Sequence, residues 1–448
     1  MNGLKTDEDG DATGTIECGV EAAKHFAFAP GWRNLNHGSF GTYPLSIRKV
    51  LRKHQDDVEA QPDTWIRYTY PRLLTTARQA VSQYLHAPLE TVVFIPNAST
   101  GINVVLRNLV FAEGEVILYA PTTYGAVEKT IDFIVETTPA QSEKVAYTLP
   151  ASDEVIVAAF EKAILALRKT GKVARLAVFD TISSLPGRRL PFEKLTKLCR
   201  EYKVLSCIDG AHGIGHIPLD LTELDPDFFF SNAHKWLYTP RPCAVLYVPE
   251  RTQSLMRSTL PTSHGFVPRG KGEARSPLPP RTNGDSEFVH KFEFVASVDN
   301  SPYLCFAPAL EWRSRITFDR LRGEEAVFAY CQQQAREAGK VVAEKLGTGI
   351  LGDAVDLANL CNFANVRLPL SFRDDAGGDE GTAIKMAQWM SEALVEKHST
   401  FMAFVFYDEA WWVRLSAQVY LTMGDFAWGA ERLKEVCALA KRGDWKSG

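Results

Sequence analysis

The chain has 448 residues, of which 45% are hydrophobic, 23% charged and 11% aromatic, the balance of an ordinary globular protein with about two to three domain-sized units. Its 50 basic and 54 acidic residues give a formal net charge of -4, so no basic face marks a nucleic-acid or anionic-membrane partner. No apolar run approaches the roughly 20 residues that a membrane helix needs.

Residues 1–24 open on an acidic, polar stretch, Met1 to Thr15, and are expected to form a disordered tail. That character is wrong for a secretory or mitochondrial signal. The eight cysteines are scattered, with no CxxC pair, which excludes a disulfide framework and a zinc module and places the chain in a reducing cytoplasm. The ten histidines include no HExxH pattern, so no metal site is expected.

From Ala60 to about Pro249, apolar runs at 92–95, 116–119, 174–179, 204–208, 228–230 and 244–247 alternate with helical patterns at 101–111, 125–136, 153–170 and 191–202. Continuous apolar strands separated by helices predict βαβ units, a mainly parallel sheet covered on both faces, and hence an α/β fold. Residues 25–60 read as an N-terminal segment packing with a smaller domain, 61–303 as the large domain, and 304–448 as a smaller C-terminal α+β domain. In the latter, 304–346 and 382–398 predict helices, and 359–368 and 401–406 predict strands. Two stretches rich in Gly and charge, 268–286 and 371–382, read as loops. Gly347-Thr-Gly349-Ile-Leu-Gly352 matches GxGxxG by letter, but it follows a helical pattern, so a helix end and turn is expected there.

In open α/β sheets, ligands bind beyond the carboxyl ends of the strands. Four strand ends carry polar residues: Asn97-Ala98-Ser99-Thr100-Gly101, Ser183-Ser184-Leu185-Pro186-Gly187, Asp209-Gly210-Ala211-His212-Gly213 and Asn232-Ala233-His234-Lys235-Trp236. Alone, each is an ordinary cap or turn. Ser99 or Thr100 would cap the helix after the first strand and leave an anion site at its N-terminus. Together, a phosphate cradle, a carboxylate and a lysine at one sheet edge are what pyridoxal phosphate requires. The lysine forms the Schiff base, and the aspartate holds the pyridine nitrogen protonated so that the ring accepts electrons from Cα.

Asp209-Gly-Ala-His-Gly213 followed by Ser231-Asn-Ala-His-Lys-Trp236 resembles the class V aminotransferase family. The likeness runs from about Arg33 to the C-terminus. It implies a fold-type I architecture, with a sheet of the seven-stranded type between helices, and a homodimer with shared active sites. Carried over by position, Lys235 is the Schiff-base lysine and Asp209 the pyridinium partner, His212 and Ser184 lie by the phenolic oxygen, and Ser99, Thr100, Asn232 and His234 hold the phosphate. Phe292 to Asp299 resembles the segment that reaches the neighbouring subunit's phosphate; Ala296-Ser297 stands where Gly-Thr is usual, and Ser297 can still donate. Segments 33–44, 259–268, 292–302 and 412–428 are similar to the carbon–sulfur lyases of this family that cleave hercynylcysteine sulfoxide by β-elimination, yielding ergothioneine, pyruvate and ammonia.

That resemblance implies catalytic roles for Lys235, Asp209 and Tyr124, the last as proton donor or holder of the leaving sulfur. Arg414 would clamp the substrate carboxylate. Asn36, His37, Ser39 and His264 are pocket candidates, with a plain turn as the equal alternative. His212 stands where those lyases carry glutamine. Related enzymes of secondary metabolism (epimerases or cyclases) share every cofactor residue. A cysteine desulfurase would need a nucleophilic cysteine on a loop of the small domain, and neither 371–382 nor 410–422 contains one.

Overall fold

The computed structural model describes residues 14–270, 278, 286–352 and 361–447. Its first strand, β1 (Ile16–Glu17), lies where a disordered tail is expected. Ile16 pairs in parallel with Ile316 and is buried, as are Ala22 and Phe26. The tail expectation therefore fails from Gly14 onward, because the apolar residues behind the acidic stretch find a core to enter; residues 1–13 lie outside the described residues.

Seven strands build the main sheet: β2 (Val92–Ile95), β3 (Glu115–Tyr119), β4 (Gln141–Lys144), β5 (Val173–Asp180), β6 (Leu205–Asp209), β7 (Phe228–Asn232) and β8 (Ala244–Tyr247). Their order is β2-β8-β7-β6-β5-β3-β4. The run from β4 to β7 is parallel, and β8 is antiparallel to both its neighbours. Side chains alternate between two cores: Phe179, Ile208 and Phe229 point to one, and Val178, Cys207 and Phe228 to the other. Both faces are covered, which is why these strands read as unbroken apolar runs. The exception is β4, whose Gln-Ser-Glu-Lys sequence is largely exposed at the sheet edge and carries no apolar signal.

A second sheet follows, in a third core. The hairpin β9 (Ile316–Phe318) and β10 (Leu321–Arg322) splits the helix expected at 304–346 into Phe306–Ser314 and Glu324–Leu346. Then β11 (Phe363–Arg367), β12 (Ala403–Tyr407) and β13 (Ala410–Ser416) form an antiparallel sheet in the order β11-β13-β12. It packs on helices Glu324–Leu346, Glu380–His398 and Met423–Arg442.

The loop expected at 371–382 contains a short helix, Phe372–Ala376, and the start of the next helix. Ser371 caps it at Asp374 N, and Gly377, at φ +64°, ends it. The glycines and acids that suggested a loop are helix-end chemistry. Gly347, at φ +65°, likewise ends Glu324–Leu346, in keeping with the turn expected at the GxGxxG match. Most of the loop expected at 268–286 lies outside the described residues.

One ion pair built on a buried arginine ties the second unit to the first. Arg313 is fully buried, donates to Glu324 Oε2 at 2.8 Å, and also reaches the carbonyl oxygens of Trp236 at 2.8 Å and Gly215 at 3.2 Å. Removing the acid would strand a buried cation. Glu324→Ala is expected to lower stability by about 3 kcal/mol, read as a shift of the urea midpoint at unchanged slope.

Candidate active site

Strands β5, β6 and β7 run parallel and end side by side, so their last residues, Asp180, Asp209 and Asn232, stand along one edge. Directly after β7 the chain makes a single helical turn, Ala233–Trp236, that carries Lys235. This turn is gripped from several sides. His37 Nε2 meets the Lys235 carbonyl at 2.5 Å while its Nδ1 engages the Tyr420 hydroxyl at 2.9 Å. Arg313 holds the Trp236 carbonyl. Gly41 (φ +67°) and Gly215 (φ +77°) lie against it so closely that a Cβ would overlap the His234 carbonyl at the first and the Trp236 peptide at the second. Only glycine permits both the backbone sign and the approach.

Lys235 Nζ lies 3.2 Å from His212 Nε2. Burial, aided by the Arg414 charge and opposed by Asp209 and Asp180, pushes the lysine down to about 8. Asp209 accepts a hydrogen bond from Ala211 N at 2.8 Å. Its neighbour in register is Asp180. Burial raises both carboxyls; Asp209 further raises Asp180, while Lys235 pulls both back. Burial also drives His212 well below the usual histidine range, with Lys235, Arg414 and His216 adding to the effect.

Arg414, on β13, reaches back to this edge. It donates to Ser184 O (2.7 Å) and Oγ (3.3 Å), to Asn36 Oδ1 (2.9 Å) and to Ser39 Oγ (3.1 Å), and lies 4.4 Å over the Phe363 ring. No carboxylate pairs with it among the described residues, and its Nε is buried without a partner. Burial lowers it to about 10. A desolvated guanidinium held only by neutral groups is a waiting anion site.

The structure thus gathers Lys235, Asp209, His212, Ser184, Arg414, Asn36 and Ser39. Where the sequence leads one to expect the phosphate, Asn232 Oδ1 accepts from Ala98 N at 2.9 Å. His234 is buried, with Nδ1 facing the Cys243 backbone, and burial lowers it to about 4. Two details differ from expectation. The cap of helix Ala98–Asn108 is Asn97, whose Oδ1 accepts from Thr100 N and Thr100 Oγ1, because Asn97 is the residue with extended backbone there; Ser99 is exposed on the first turn. His37 is not a pocket residue: both ring nitrogens are spent on the lysine turn and Tyr420, and burial lowers it to about 3.

Three further candidates make no side-chain hydrogen bond to this cluster among the described residues. Tyr124 precedes helix Gly125–Thr137 and is 55% exposed. His264 is exposed, in a loop with Phe294 as its ring neighbour. Ser297 is exposed beside Ala296, whose φ of +119° falls where an L-residue is disfavoured and glycine is at ease.

Sequence reasoning missed Asp180, Arg313 and the role of Trp236. Asp180 was within reach, since Val178-Phe179-Asp180 repeats the apolar-run-then-acid pattern of Cys207-Ile208-Asp209.

Residues 67–269 match the family model for class-V aminotransferases. The chain is 36% identical to the L-cysteine desulfhydrase-like protein lolT1 of Epichloe uncinata, over 94% of this chain and 96% of that one. It is 29% identical to the hercynylcysteine sulfoxide lyase of Schizosaccharomyces pombe, over 94% and 98%. Among solved structures, a mutant of C-DES with glycine covalently linked to its PLP cofactor superposes with a TM-score of 0.71 at 18% identity, covering 92% and 98%. The complex of the cystine C–S lyase C-DES with cysteine persulfide gives 0.67 at 18%, covering 90% and 97%. The chain belongs to the class-V aminotransferase family and has the fold of its pyridoxal phosphate enzymes.

The residues present fit that cofactor. A buried lysine, a buried acid pair and buried hydroxyls without partners at Thr122, Thr123 and Thr181 are the donors and acceptors that an aldehyde, a pyridine nitrogen and polar ring substituents would engage. Because only the neutral amine attacks an aldehyde, cofactor capture by the cofactor-free protein should accelerate about tenfold per pH unit below about 8 and level off above it. Stopped-flow absorbance from about pH 6 to 10 measures this; a profile rising only near the ordinary lysine range would contradict the site's electrostatics.

Proposed function

We propose that this pyridoxal phosphate-dependent carbon–sulfur lyase acts by β-elimination on a cysteine-conjugate sulfoxide, with hercynylcysteine sulfoxide as substrate. The observation that carries the reading is Arg414, a buried guanidinium without an acid, on the same edge as a buried, easily deprotonated lysine. An α-amino acid supplies what that edge lacks: a carboxylate for the arginine and a Cα proton for the amine.

The cofactor, when bound, draws electron density from Cα. Asp209, with Asp180 beside it, provides the negative charge that keeps the ring nitrogen protonated. Arg414 exchanges its bonds to Asn36, Ser39 and Ser184 for the substrate carboxylate and fixes which Cα bond faces Lys235. The Lys235 amine takes the Cα proton, and the electron pair left behind expels the sulfur from Cβ. The three-carbon enamine that leaves adds one water to give pyruvate and ammonia. The sulfur departs as a sulfenate, which takes up a proton to give the sulfenic acid; two external thiols then reduce it to ergothioneine, leaving as their disulfide with release of one water. Tyr124, exposed after β3, serves as the sulfenate's proton donor.

The cysteines favour release of the sulfur over its capture. Seven of the eight are buried and the eighth, Cys18, is half-buried. Burial raises Cys361, the thiol whose charge would act on Arg414, above the usual thiol range. A persulfide relay needs an accessible thiolate. The reading extends to a cytoplasmic homodimer, supported by unpaired thiols and by the exposed apolar side chains of Phe40 (73%) and Val298 (59%).

Pyruvate release should be at least about tenfold faster (kcat/KM) from hercynylcysteine sulfoxide than from cysteine or cystathionine. Preference for a plain thiol substrate would sink the substrate assignment. Lys235→Ala should bind cofactor without the covalent link and show no turnover. Arg414→Met should raise KM about a hundredfold, from the roughly 3 kcal/mol of a charge-assisted pair; an unchanged KM would remove its carboxylate role.

A further inference from the structure

Trp236, next to the lysine, is more than packing. Its indole ring is buried among His216 (ring centroids 4.0 Å apart), Phe363 (5.3 Å) and His37 (5.4 Å). Its Nε1–H points to His212 Nδ1 at 3.1 Å. An indole nitrogen can only donate. His212 Nδ1 must therefore accept, and in a neutral imidazole the proton then sits on Nε2. That nitrogen faces Lys235 Nζ at 3.2 Å.

The surroundings keep the ring neutral. His212 is buried, and the charged or titratable groups acting on it are Lys235, Arg414 and His216, all disfavouring a second proton. His216 accepts at Nε2 from the Asn362 backbone N–H at 2.7 Å, so its own proton sits on Nδ1, and that Nδ1 makes no hydrogen bond to His212 among the described residues. With the Lys235 amine neutral, as it is above about pH 8, its lone pair can accept from Nε2–H and the indole bond sets the tautomer.

We infer that Trp236 is a positioning residue: by donating to His212 Nδ1 it locks the imidazole as a fixed Nε2–H donor aimed at Lys235 Nζ, the atom that would carry the cofactor. The inference rests on the lysine-bound cofactor reading for its consequence, but not for the tautomer, which belongs to the protein alone. Were the cofactor's phenolic oxygen to lie there, such a donor would stabilise its negative charge and lower its affinity for a proton. Without the indole N–H, the imidazole is free to place its proton on Nδ1 and turn a lone pair toward the same spot.

Two measurements test this. In cofactor-free protein labelled with 15N-histidine and held above about pH 8, where the Lys235 amine is neutral, the His212 resonances, assigned by their absence in His212→Gln, should report a protonated Nε2 and a bare Nδ1. A proton on Nδ1 in the unsubstituted protein overturns the inference, whatever the enzyme proves to do. In the cofactor-loaded protein, Trp236→Phe keeps the apolar ring but removes the N–H. The pH at which the visible absorption band changes should rise by about one unit, with the covalent link intact. In a His212→Gln background, where the amide donor needs no partner to choose a tautomer, the same Trp236→Phe change should shift the band by less than about 0.3 unit. Equal shifts in both backgrounds, or none in either, would reduce Trp236 to a packing residue. Failure of the unsubstituted protein to link the cofactor would instead refute the proposed function and leave the tautomer result standing.

Discussion

Everything at this site depends on holding one short turn still. A lysine amine at the end of a buried strand is useful only if its backbone cannot swing, and Ala233–Trp236 is too short to be stable alone. Its carbonyls are held by His37 and Arg313, and two glycines admit neighbouring backbone against it. Those holders come from the N-terminal segment, from the loop after β6 and from the helix that leads into the second unit. The turn is therefore a product of the whole chain rather than of its local sequence, and its rigidity is what fixes the amine next to His212 and the two aspartates.

The electrostatics follow from that placement. Two carboxyls, a lysine and a guanidinium are withdrawn from water along one edge, with fewer partners than such charges require. Burial moves each toward its neutral form, and the remaining charges partly oppose the shift. This imbalance is a property of a site prepared for a ligand that brings its own ring cation, carboxylate and polar substituents. A purely structural cluster would close its ion pairs internally, as Arg313 does with Glu324.

Much of this was legible in the sequence where the signal is local. The apolar runs that became β2, β3 and β5 to β8, and the acid and lysine at the ends of β6 and β7, were readable because strands buried on both faces have no polar alternation to confuse them. What escaped depended on distant partners. β1 has two residues and owes its existence to Ile316; β4 is a polar edge strand defined by hydrogen bonds to β3 rather than by burial. His37 reads as a pocket residue from its glycine-rich surroundings, and only the fold reveals that Tyr420 and the lysine carbonyl occupy both its nitrogens. The glycines at 377 and 378 punctuate a helix as readily as they mark a loop, and composition alone cannot separate the two.

The bonds of Arg414 have one further consequence. Its guanidinium sits on a strand of the second sheet, yet its hydrogen bonds go to Ser184 of the main unit and to Asn36 and Ser39 near the N-terminus. A single side chain is thus the knot joining three separate lengths of polypeptide. Any molecule that claims those donors unties the knot and must itself serve as the new fastening, so occupancy and the mutual mobility of the three lengths are two faces of the same event.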